Sequence, residues 1–249
     1  MSMQLGHFLR DRLKNLGLKH AFGIPGDYVL DFYKLLSDSP DIEIINNTDE
    51  NHSGFAADAY ARVAGVGCVV VTYSVGASKV INAIQCAYAE RSPVIVISGA
   101  PGVNERSEGV LLHHMVKSFN SQAKMFQEIT CAAVVLDDPV RACFEIDRAL
   151  ECLKHYSRPI YIELPRDMVR KTVGYDVYNL GTPVAPKTNE ENLEEALKEV
   201  EYRLLKSQKP VIMAGVEIAR YKLGDKLIKF AERHNIPVAT TLLSKSVIN

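Results

Sequence analysis

The stretch Cys68–Ser98, CVVVTYSVGASKVINAIQCAYAERSPVIVIS, decides the fold class. Its two ends, Cys68–Thr72 and Val94–Ser98, are apolar without polar alternation, as in strands buried on both faces of a parallel sheet. Between them Ala77–Glu90 has a helical period, so the unit reads strand–helix–strand. Working outward, the alternation continues. A helix is expected over Gln4–Leu16, with Leu5, Phe8, Leu9, Leu13 and Leu16 on one face. A short strand, Ala21–Ile24, is stopped by Pro25-Gly26, and a helix over Asp27–Leu36 follows. Strand Ile42–Ile45 and helix Ser53–Ala64 come next. Beyond the central unit lie strand Ala132–Leu136, a helix near Val140–Lys154 and strand Pro159–Glu163. This order predicts an α/β fold: an open, mostly parallel sheet with helices on both faces.

Residues 171–188 lack a clear period and contain Gly174, Gly181, Pro183 and Pro186, which reads as a linker. Residues 1–170 then form one domain and residues 189–249 the start of a second α/β domain. Thr188-Asn189-Glu190-Glu191 resembles a capping box. The helix behind it places Leu193, Ala196, Leu197, Val200 and Leu204 on one face. Strand Val211–Ala214, helix Lys222–His234 and strand Val238–Thr241 follow. About 60 residues is marginal for a freestanding core, so this unit reads as part of a larger domain.

The 249 residues are 47% hydrophobic, enough for one large or two smaller cores, and carry a formal net charge of −1. No basic face or Arg-rich run supports a nucleic-acid partner. No apolar run approaches the roughly 20 residues of a membrane helix. The first residues show no signal-peptide pattern. The five cysteines lack CxxC spacing, which favours reduced thiols in a cytoplasmic protein over a zinc site.

Chemistry is sought where strands hand over to helices, since open α/β sheets bind ligands there. Ile45–Gly65, INNTDENHSGFAADAYARVAG, places Glu50 at such a junction, before an Ala-rich helix able to approach another surface closely. Glu50 and Asp49 also suit a helix start, where acids offset the dipole by about 0.3–1 kcal/mol. Asp27, in Gly23-Ile24-Pro25-Gly26-Asp27, has the same two readings. His113-His114 follows Leu111-Leu112 in a third loop. Loops at one sheet edge could gather Asp27, Glu50, His113 and His114 into a single proton-handling cluster. Phosphate-loop glycine motifs are absent. Thr72-Tyr73-Ser74-Val75-Gly76 resembles a hydrolase elbow, with Thr72 in place of its first glycine.

Five blocks occur in the order and spacing of a known family: GIPGDYVLDFYKLL, NTDENHSGFAADAYAR, TYSVGAS, LLHHMVKSF and RPIYIELPRDMV. The chain resembles the amino-terminal half of the thiamine-diphosphate-dependent 2-keto acid decarboxylases, of the pyruvate and indolepyruvate type. The resemblance covers Met1 to about Val169 as a pyrimidine-binding domain. From about Asn189 it continues into a Rossmann-like middle domain. It implies that Glu50 hydrogen-bonds the cofactor's pyrimidine and so promotes loss of the thiazolium C2 proton. Asp27, His113 and His114 would form the acid–base cluster, and Pro25 and Val75 would line the pyrimidine. The implied substrate is a 2-keto acid, converted to an aldehyde and CO2 by a homodimer or homotetramer.

The Glu-plus-Ala-rich-helix segment is shared with acetolactate-synthase-like carboligases, which stand as an alternative. Ala77 replaces a glutamate common in the family, and Met115-Val116-Lys117 replaces a Thr-Leu-Gly type segment; both leave the substrate open. The family's Gly-Asp-Gly and Asn-Asn anchor for diphosphate and Mg2+ is not found, so Mg2+ is expected only with a further, carboxy-terminal domain. Without it the chain is expected to be inactive alone, or to serve as an assembly or regulatory piece that pairs with another chain.

Overall fold

The computed structural model describes residues 3–107, 109–174 and 187–248, and the chain forms two compact units, residues 1–184 and 185–249. The first unit opens with β1 (Met3–Gln4), α1 (Leu5–Asn15), β2 (His20–Gly23), α2 (Leu30–Ser37) and β3 (Glu43–Asn46). Next come α3 (Glu50–Ala64), β4 (Gly67–Val71), α4 (Val75–Ala89) and β5 (Val94–Ala100). It closes with α5 (Ser121–Gln127), β6 (Ala132–Val135), α6 (Ala142–Tyr156), β7 (Ile160–Pro165) and β8 (Thr172–Val173). Six strands form one parallel sheet in the order β3-β2-β4-β5-β7-β6.

The unbroken apolar runs have a physical cause. Alternate residues of the central strands enter opposite cores, so no position faces water. Cys68, Val70, Ile95, Ile97, Ile160 and Ile162 join the core under α1, α2 and α6. Val69, Val71, Val94, Val96 and Tyr161 join the core under α3, α4 and α5. Each buried aliphatic side chain contributes about 1.5–3 kcal/mol. The edge strands β3 and β6 are only partly covered.

Helix α3 is capped by Asp49, whose side chain accepts from His52 N at 2.9 Å, and ends at Gly65 with φ 96°. Its small residues Ser53, Gly54, Ala57 and Ala61 are buried within its own unit. A Cβ at Gly54 would lie 2.8 Å from Ala83 Cβ of α4, and one at Gly67 of β4 would lie 2.0 Å from Ala57 O and 3.2 Å from Ala61 Cβ, so these small residues let α3 approach both α4 and β4. Short α5, not foreseen from the sequence, is seated by Phe126 stacking on Tyr161 with ring centroids 4.2 Å apart.

Several boundaries differ from expectation. Asp27 does not begin α2: it stays in the turn closed by Val29 N donating to Gly26 O at 2.9 Å, and α2 starts at Leu30. Glu50 is the first residue of α3 rather than preceding it, and α4 starts at Val75. Pro165 belongs to β7, where it pairs with Ala100. The expected linker does not begin at Lys171, because Lys171 O accepts from Leu5 N at 2.9 Å and β8 pairs antiparallel with β1. Residues 175–186 of that segment lie outside the described residues.

The second unit comprises α7 (Glu190–Lys206), β9 (Ile212–Ala214), α8 (Glu217–Arg220), α9 (Gly224–His234) and β10 (Val238–Thr240). Strands β9 and β10 pair in parallel. Asn189 caps α7 by accepting from Asn192 N at 3.0 Å. Ala214, Ala231, Ile236 and Val247 are buried, whereas no residue of α7 is. Among the described residues no helix is long and apolar enough to cross a membrane.

Candidate active site

The carboxyl ends of the parallel strands lie along one edge of the sheet. The chain leaves β2 through Pro25 and Asp27, β3 through Asp49 and Glu50, β4 through Ser74 and Val75, and β5 through the loop bearing His113 and His114. The strand order reverses between β2 and β4, with β3 on one side and β5 on the other. A crevice opens at such a switch point.

Glu50 is held by the first turn of α3, its side chain 15% exposed. Gly76, the second residue of α4, lies against it: a Cβ there would meet Thr72 Cγ2 at 3.1 Å and Glu50 Oε1 at 3.3 Å. Thr72 also fills the space beside Gly26, where a Cβ would lie 2.4 Å from Thr72 Cβ. Thr72 thus joins the Asp27 turn to the Glu50 wall. Thr72 Oγ1, Asn47 Oδ1 and Asn51 Oδ1 are buried without a hydrogen-bond partner, a condition that costs stability unless a ligand or water satisfies them. Val75, at the mouth, is half exposed, and Pro25 is exposed.

Lys79 was not foreseen. Its Nζ lies 3.3 Å from Asp49 Oδ2 and 3.4 Å from Glu50 Oε2, and hydrogen bonds to these two carboxylates raise its pKa. The backbone N–H of His52, and then Lys79, hold Asp49 below the usual carboxylate range. Only the side-by-side packing of α3 and α4 brings Lys79 to Glu50, so no local pattern could have flagged it.

Asp27 and His113 meet across 86 positions of sequence, His113 Nε2 lying 2.5 Å from Asp27 Oδ2. The His114 ring stands edge-on to His113 at 4.9 Å, its backbone in the left-handed region at φ 66°. The base of this loop is pinned from the end of β7. Asp167 accepts from Val103 N at 2.9 Å and Asn104 N at 3.2 Å, and Arg166 pairs with Glu105, lowering the Glu105 pKa. Among the described residues no hydrogen bond joins Glu50 to Asp27, His113 or His114. The structure therefore resolves one acid wall and one acid–histidine pair, bridged by Thr72.

The turn between β4 and α4 is strained, Ser74 having φ 56° and ψ −83°. Its N–H donates to Gln122 Oε1 at 2.5 Å. The Gln122 amide nitrogen, with two hydrogens to donate, lies within hydrogen-bond range of Ser98 Oγ, Tyr161 OH and Glu163 Oε2. Burial raises the pKa of Glu163, against hydrogen bonds from Tyr161 and the charge of Arg106. Gln122 lies on α5 and carries no sequence signal of this role. The conformation of Ser74 suits a hydrolase elbow, yet among the described residues no histidine hydrogen-bonds its hydroxyl, and the geometry lends that reading no base. Nor do the described residues contain a cluster of three or more His, Cys, Asp or Glu able to hold a metal ion.

Two family profiles match the chain. One, described as the N-terminal TPP-binding domain of thiamine pyrophosphate enzymes, covers residues 3–128, and one described as their central domain covers residues 197–249. The indole-3-pyruvate decarboxylase of Azospirillum brasilense is 39% identical over 247 residues, covering 99% of this chain and 45% of that protein. A probable pyruvate decarboxylase of Schizosaccharomyces pombe is 35% identical over 94% of this chain and 42% of its own length. The pyruvate decarboxylase of Neurospora crassa is 34% identical over 98% and 43%. The chain thus spans less than half the length of the curated relatives it matches. By the profile that covers half of its residues, the chain belongs to the thiamine pyrophosphate enzyme family.

Proposed function

We propose that this chain supplies the pyrimidine site and the acid–base cluster of a thiamine-diphosphate-dependent 2-keto acid decarboxylase, which converts a pyruvate- or indolepyruvate-like acid to an aldehyde and CO2. The carrying observation is the Glu50 wall: a largely covered carboxylate facing a side-chain-free Gly76, beside the buried, unpartnered Thr72 Oγ1. A flat heteroaromatic ring with polar edges fits that arrangement, with exposed Val75 and Pro25 offering apolar flanks.

When bound, thiamine diphosphate supplies the electron sink for carbon–carbon cleavage. Glu50 would hold a ring nitrogen and keep a proton there. Asp27 and His113, in contact at 2.5 Å, with His114 beside them, would hold and return protons at the substrate's carbonyl oxygen and the carbon next to it. Mg2+, a second copy of the chain in a homodimer or homotetramer, and a cytoplasmic setting belong to the same reading. The five free cysteines favour a reducing compartment. Residues 1–170 would be the pyrimidine-binding domain and 189–249 part of the middle domain, in line with the two profile matches.

The test is Glu50→Gln in the thiamine-diphosphate-loaded protein, with exchange of the cofactor's C2 proton followed by NMR. Exchange is expected to slow by about 10²–10⁴-fold, the worth of a positioned acid–base group. An unchanged exchange rate would remove Glu50 from the mechanism.

A further inference from the structure

We propose that Tyr28 is a positioning residue for His113, its hydroxyl partnering the imidazole Nδ1 in either protonation state of the ring. This rests on reading Asp27 and His113 as the acid–base pair. Tyr28 is 1% exposed and its ring is packed among neighbouring side chains. It stacks on His113 at 4.7 Å and 24°, meets Tyr73 edge-on at 5.5 Å, and carries the Arg166 guanidinium 5.1 Å from its centroid. Its backbone is fixed against Gly99, where a Cβ would lie 2.3 Å from Tyr28 O.

The hydroxyl has two acceptors at nearly equal range, His113 Nδ1 at 3.2 Å and the His113 carbonyl oxygen at 3.1 Å. The Asp27 carboxylate can only accept, so its contact with Nε2 places a proton on Nε2. In the neutral ring Nδ1 is then an acceptor, and the Tyr28 hydroxyl donates to it. Once Nδ1 is protonated it becomes a donor. The hydroxyl accepts from it and turns its own proton onto the His113 carbonyl. Rotation about one C–O bond serves both states and moves no heavy atom. The phenol keeps its proton through this, since burial, and then the charge of Asp27, push its pKa up. The other charged or titratable groups around the pair are His114, Tyr73, Arg166 and Glu105.

The experiment is Tyr28→Phe, which keeps the ring and its packing, in protein carrying 15N-labelled histidine. His113 is assigned by subtraction with His113→Gln, and an unfolding midpoint confirms that the fold is intact. Native protein is expected to show His113 as the Nε2–H tautomer when neutral, and Tyr28→Phe to show a mixture of tautomers. In the active holoenzyme kcat should fall about tenfold with KM within about twofold, less than the 10²–10⁴-fold worth of a whole acid–base group. A His113 spectrum identical in both proteins overturns the proposal. A changed spectrum with unchanged kcat upholds the positioning and instead refutes His113 as an acid–base residue.

Discussion

Helices α6 and α7 carry the same kind of apolar stripe. In α6, Ala142, Cys143, Ile146, Ala149, Leu150 and Leu153 are all buried against β6, β7 and α1. In α7, Leu193, Leu197 and Val200 are about half exposed and nothing is buried. Both helices show the 3.6-residue period, and both would be drawn identically from sequence. The difference is that six parallel strands stand ready to cover α6. The second unit has two three-residue strands, and its described residues leave the stripe of α7 open. Periodicity therefore states which face wants burial, and only the neighbouring layer states whether it is buried.

The comparison can be broken first at its closed end. Leu150→Ala should lower the stability of the first unit by about 2–5 kcal/mol, the cost of a buried leucine and its cavity. A urea midpoint unmoved by this change would mean that the α6 interface is loose.

A smaller effect probes the polar part of the same interior. Burial raises the pKa of Glu163 above its ordinary value, so the folded state binds its proton more tightly than the unfolded state does. Stability then declines as pH rises from the unfolded value through the folded one, and levels off above it. Glu163→Gln removes that contribution, so the wild-type and variant stability curves should diverge across that window and run parallel beyond it. Curves parallel throughout would show that Glu163 is not protonated preferentially in the native state.

The smallest effect belongs to the open stripe. Leu197→Ala in α7 should change stability by no more than about 0.5 kcal/mol, as for other surface positions. A loss approaching that of Leu150→Ala would show the stripe to be covered in solution, and would erase the distinction between the two helices.

The candidate site repeats this division between pattern and packing. Glu50, Asp27 and the His113-His114 pair were legible as candidates because each lies in a loop after a strand, where such sheets bind, but that position alone equally suits helix caps and surface loops, and the family resemblance is what singles them out. Thr72 was legible as the end of a strand, as part of an incomplete hydrolase motif and as the first residue of the TYSVGAS block. Its part as the bridge between Gly26 and Gly76 is a fact of close backbone approach. Lys79, Gln122 and Tyr28 gave no signal, since each acts on a partner tens of residues away. The small residues of α3 suggest close approach to another surface, and within the unit Gly54 meets α4 while Ala57 and Ala61 meet Gly67 of β4.

By itself the sequence determined the α/β class, the strands buried on both faces and the strand-to-helix junctions, because side-chain periodicity and turn chemistry act over a few residues. Tertiary structure alone decided that β1 and β8 pair, that α5 exists to place Gln122 under Ser74, and that Asp27 touches His113. Those contacts join segments separated by 48 to 170 positions, so no local pattern encodes them and only the folded chain brings them within hydrogen-bond range.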